Sequence, residues 1–137
     1  MLNKILHTFS LFIGFTYLSF ATPANADEQN CTFLHEAAFL DEPREIEDLL
    51  ASGVDINCTD MLGHTALVTA VNGASIDSFI LLVQAGAKVN VRTEYGNSLL
   101  QHTKRKFRSV DQQTGLEQYR DLYKSMIARL QTAGAIN

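Results

Sequence analysis

Gly63-His64-Thr65-Ala66-Leu67-Val68-Thr69-Ala70, with Leu81-Leu82-Val83-Gln84-Ala85-Gly86-Ala87-Lys88-Val89-Asn90 behind it, decides how this chain is read. Shifted by 33 positions, the stretch falls on its own echoes. Thr65 meets Thr32, Leu67 meets Leu34, Ala70 meets Ala37, Leu82 meets Leu49, Gly86 meets Gly53 and Asn90 meets Asn57. In the other direction Gly63 meets Gly96, Thr65 meets Ser98 and Leu67 meets Leu100. A fixed period with small, apolar and glycine positions in register marks a stacked array, in which no single unit buries its own apolar face.

The units resemble ankyrin repeats. The helix-opening T-P-L-H-x-A element stands as Thr32-Phe33-Leu34-His35-Glu36-Ala37 and, more altered, as Thr65 to Ala70. The L-L-x-x-G-A-x-x-N ending stands at Leu49 to Asn57 and again at Leu82 to Asn90. The resemblance implies an all-α solenoid of three helix-turn-helix repeats, at about 30–60, 61–93 and 94–137, joined by β-hairpin loops.

Each repeat carries its own punctuation. In the first, Asn30 replaces the turn glycine, and a helix is expected from about Phe33 to Leu40. Pro43 opens a second helix striped by Ile46, Leu49 and Leu50, and Gly53 ends it. In the second, Met61-Leu62-Gly63 makes the turn, Ala66 to Asn72 the inner helix and Asn72-Gly73 the break. Ser75 is the expected cap of the outer helix, which turns Phe79, Leu82 and Val83 to the core. The third runs 48 residues from Gly86 to Gly134, so about fifteen extra residues lie between Lys104 and Tyr123. A polar loop around Arg108–Gln113 and a capping box at Thr114-Gly115-Leu116-Glu117 should precede a long amphipathic helix. Leu116, Tyr119, Leu122, Tyr123, Met126, Ile127 and Leu130 form its stripe, and it would cap the array.

Ahead of the repeats, Met1–Ala26 reads as a signal peptide. Lys4 gives a positive start and Phe9–Ala21 an apolar run too short for a settled membrane span. Ala24-Asn25-Ala26 offers the small-x-small pattern for cleavage after Ala26. The domain is then 27–137, periplasmic or secreted, with no stable membrane insertion after cleavage. Charge is polarised along it. Asp27–Asp77 holds eleven acids and one base, a net of −10, whereas Ser78 onward holds four acids and nine bases, a net of +5. A basic field over the whole molecule, as nucleic acid would require, is absent. The run Lys104-Arg105-Lys106-Phe107-Arg108 reads as the solvated end of an inner helix or as a contact for an acidic protein, with a nucleic-acid or anionic-lipid contact as the lesser alternative.

No converging nucleophile and base, no phosphate loop and no H-E-x-x-H helix appears, so neither catalysis nor a cofactor is expected. The resemblance gives His35 a structural role, linking neighbouring turns by hydrogen bonds. It also sets Cys31 and Cys58 in adjacent hairpins, where an exported chain would pair them. Free thiols, and a zinc site made with His35 and His64, are the alternatives; no metal is expected.

Ankyrin arrays bind proteins through hairpin tips and the exposed side of the inner helices. Mapped here, that face comprises Glu36, Phe39, Met61, Leu62, Thr69, Asn72, Glu94, Tyr95, His102, Arg105 and Lys106. Function is therefore expected to be protein binding by a chain monomeric until its partner arrives. Small exported bacterial ankyrin proteins look like immunity proteins that neutralise a toxin. An accessory or structural partner of a periplasmic enzyme, or an effector exported towards a host, is the other reading.

Overall fold

Six helices follow one another in the computed structural model, which describes residues 23–137: α1 (Pro23–Leu40), α2 (Pro43–Ala51), α3 (Ala66–Gly73), α4 (Ile76–Gln84), α5 (Leu99–Asp111) and α6 (Glu117–Thr132). They form three antiparallel pairs stacked side by side, the all-α ankyrin-repeat solenoid. The expected leader lies outside the described residues except for its last four, whose backbone begins α1. Among the described residues no helix is long and apolar enough to cross a membrane.

Small residues let the inner helices approach. Ala37 and Ala38 of α1 and Ala66 and Ala70 of α3 are buried together with Leu34, Leu67, Val68 and Val71, and these two helices lie in close contact. Ile46, Phe79 and Leu82 close the core from the outer layer, and Leu99, Leu100, Tyr123, Met126 and Leu130 carry it through the third repeat. Here α5 makes its closest approach to α6 rather than to α3.

The asparagine that ends each repeat has a defined task. Asn57 Oδ1 accepts the backbone N–H of Lys88 at 2.9 Å, and Asn90 Oδ1 accepts that of Ile136 at 2.9 Å. The second span is fifteen residues longer than the first, which is the length of the insertion. Those residues lengthen both helices of the last pair, so α5 runs to Asp111 where a polar loop was expected from Arg108. The remaining loop is Gln112–Leu116.

Three other expectations are corrected. Asn30 is not a turn residue. It lies within α1, which starts ten residues earlier than expected, because Pro23–Leu40 holds no glycine to break it and runs on as one helix. Cys31 is therefore on that helix rather than in a hairpin. The Thr114–Glu117 capping box is absent: Leu116 occupies the cap position, and Glu117 instead accepts the N–H of Gly115. The box is at Ser98, whose Oγ accepts the N–H of Gln101 while Gln101 Oε1 accepts that of Ser98. Ser75 holds the cap position of α4 but donates its hydroxyl to Phe39 O at 2.7 Å. Asp41 of the first repeat caps α4 instead, accepting the N–H of Ser78 at 2.8 Å.

Candidate protein-binding face

Two hairpin loops project from the N-terminal ends of α3 and α5, closed by the bridges Thr59–Thr65 and Arg92–Ser98. Gly63 and Gly96 take φ of +77° and +76° at the turns, a conformation costly for any residue with a Cβ. In the first loop Asp60 Oδ1 accepts the N–H groups of Leu62 and His64, each at 2.9 Å. In the second Arg92 Nη1 donates to Gly96 O at 2.7 Å. Short, internally bonded loops hold their outward side chains in place.

Those side chains are apolar where the fold does not need them to be. Met61 is fully exposed, Leu62 is 63% exposed and Tyr95 is 74% exposed. Leu62 and Tyr95 occupy the same register position in successive hairpins, as do Met61 and Glu94. The loops are also tied to each other. Buried His64 lies between Asp60 and Glu94, with Nδ1 3.6 Å from Asp60 Oδ2 and Nε2 bonded to Glu94 Oε2. That bond holds the Glu94 carboxyl below its ordinary 4.5.

The inner helices are stitched in the same way. His35 Nδ1 meets Thr69 Oγ1 at 2.9 Å and Nε2 meets Cys58 O at 3.2 Å. His102 Nε2 donates to Asn72 Oδ1 at 2.8 Å. Burial holds the His102 imidazole below its usual 6.5, and the Lys106 and Arg105 charges add to this against the pull of Glu94. Of the eleven residues mapped to this face, Thr69, Asn72, Glu94 and His102 are thus engaged between repeats. Glu36, Phe39, Met61, Leu62, Tyr95 and Arg105 are exposed, and Lys106 is half-buried. Phe39 stands at the far end of the inner helices, against Gly73.

Each end of the face has its own hollow. At the basic end, Tyr95, His102, Arg105, Lys106, Arg108 and Ser109 line a cleft of about 360 Å³. At the acidic end a cleft of about 470 Å³ is lined by Asp27, Glu28, Asp60 and Met61 together with Cys31 and Cys58. Those two cysteines are joined by a disulfide, with Cα atoms 6.1 Å apart. Together with His35 they make the one group of possible metal ligands found among the described residues. Sequence reasoning missed Asp60, Asp41 and the Ser98 box. The Ser-x-x-Gln spacing would have disclosed the last, whereas the Asp41 bond spans 37 residues and left no local signal.

No family model matches the chain. Over 95 residues it is 32% identical to the transient receptor potential cation channel subfamily A member 1 of Homo sapiens, which covers 69% of this chain and 8% of that protein. Over 107 residues it is 30% identical to the BTB/POZ domain and ankyrin repeat-containing protein NPR1 of Malus hupehensis, covering 77% of this chain and 18% of that protein. The chain thus spans less than a fifth of either relative. Likeness to a protein named for its ankyrin repeats agrees with the helical pairs, the hairpins and the 33-residue register described here.

Proposed function

We propose that this chain is an exported protein-binding module that neutralises a partner by covering its surface, in the manner of an immunity protein against a toxin. The observation that carries the reading is the exposure of Met61, Leu62 and Tyr95 on two rigid, mutually tied hairpins. Aromatic and methionine side chains are enriched at the centres of protein interfaces, and prearranged anchors lose little entropy on binding. The unlike charge of the two ends favours a partner with a basic surface over repeat one and an acidic surface over Arg105 and Lys106. The leader-like Met1–Ala26 and the Cys31–Cys58 disulfide support an oxidising compartment such as the periplasm.

The test is to mix the mature chain with the toxin encoded beside its gene and titrate the toxin's activity. One-to-one inhibition is expected, and it should be lost in Met61→Ser/Leu62→Ser/Tyr95→Ala while the melting temperature holds. Undiminished inhibition by that variant would move the interface elsewhere, and no inhibition by wild type would rule out the immunity role.

A further inference from the structure

The acidic-end cleft contains chemistry that protein binding does not use. We propose that Cys31, His35 and Cys58, once their disulfide is reduced, form a thiolate–imidazole site for a divalent zinc-like ion. The ligand atoms of the three residues already lie within 4.8 Å of one another. Tetrahedral zinc needs its sulfur and nitrogen ligands about 3.5 Å apart, given bonds of about 2.0–2.3 Å, so only small movements are required. Cys31 and His35 are four residues apart on one face of α1, and Cys58 comes from the coil behind α2. Two thiolates and an imidazole select zinc over calcium or magnesium. The open cleft admits water to a fourth position.

The imidazole is already equipped for the exchange. With the disulfide intact, Nε2–H donates to Cys58 O and Nδ1 accepts the Thr69 hydroxyl. In the reduced, metal-bound chain Nε2 gives its lone pair to the ion. Nδ1–H then donates to Thr69 Oγ1, whose hydroxyl turns to Thr65 O, 3.3 Å away. A ligand histidine is normally oriented by such a bond from its other nitrogen. The reaction balances with a dithiol as reductant: it becomes a disulfide, its two protons and two electrons leave two thiols on the chain, and the ion displaces two protons to solvent. Cross-link and metal thus compete for the same two sulfurs.

Cobalt(II) is the probe. The full chain, oxidised or reduced with a phosphine, is titrated with Co²⁺ while thiolate-to-cobalt charge-transfer absorption is followed, and Zn²⁺ is then added. The reduced wild type should bind one Co²⁺ that Zn²⁺ displaces, and the oxidised chain none. Cys58→Ser should abolish the band. Thr69→Val keeps both thiols and should weaken binding by about 10–100-fold through loss of the orienting bond. His35→Gln should likewise lose Co²⁺ binding, and Thr69→Val serves as the test should that variant fail to fold. Absence of the band in the reduced wild type, equal binding by the oxidised chain, or an unchanged affinity in Thr69→Val would each overturn the site.

Discussion

Gly73 shows how little slack separates the repeats. A Cβ there would stand 2.6 Å from Phe39 O and 2.7 Å from Ser75 Oγ, so backbone would have to move. Alanine would gain up to about 1 kcal/mol of helix propensity but lose about 1–3 kcal/mol to overpacking. Gly73→Ala should therefore lower stability by about 1–2 kcal/mol in urea unfolding. The pH response is set at the same scale by His102. Its folded-state pKa is depressed, so its stabilisation is complete above the ordinary 6.5 and is lost as pH falls towards the lower folded value. Stability should decline between pH 7 and pH 5, and His102→Gln should make that decline shallower. An equal loss of stability between pH 7 and pH 5 in wild type and His102→Gln, read from urea midpoints, would show that His102 plays no part.

At the scale of elements, the stitching between repeats matters as much as the helices themselves. Asp41 caps α4 from the previous repeat while Ser75 reaches back to Phe39. Replacing a capping side chain typically costs about 0.5–2 kcal/mol. Asp41→Ala should lie at the upper end of that range in thermal unfolding, since Asp41 also holds a positive φ of 60° that alanine tolerates less well. What could be read in advance follows from the range of the forces. The helix pairs, both hairpins and the fifteen-residue insertion were legible, because their determinants recur every 33 residues or lie within one turn. The extended α1 was not, since the repeat pattern implied a turn at Asn30 where the chain instead runs through as helix. The cross-repeat caps were also invisible, because a serine or aspartate at a helix start looks the same whichever helix it serves. The exposure of Met61, Leu62 and Tyr95 followed from their places in the hairpins, but not the fact that Thr69, Asn72, Glu94 and His102 spend their polar groups inside the array.

For the whole molecule, the loop of 27 residues closed by Cys31–Cys58 contributes about 3.5 kcal/mol in the chain-entropy picture, and it does so in the repeat that opens without a hairpin. On the proposed binding role, the charge gradient would act on association rather than on the fold. Arg105→Glu with Lys106→Glu should slow partner association several-fold at low salt, with a smaller loss at high salt, because screening removes steering between exposed charges. Stopped-flow association rates at two ionic strengths check this. The tied hairpins present exposed apolar side chains that the fold itself does not require, and Tyr95 isolates that property best. The decisive measurement is Tyr95→Ala, assayed for both unfolding free energy and partner affinity. Stability should stay within about 0.5 kcal/mol of wild type, as for ordinary surface changes, while binding weakens by at least about 1 kcal/mol. Wild-type affinity in that variant, or a loss of affinity matched by a loss of stability, would contradict that expectation.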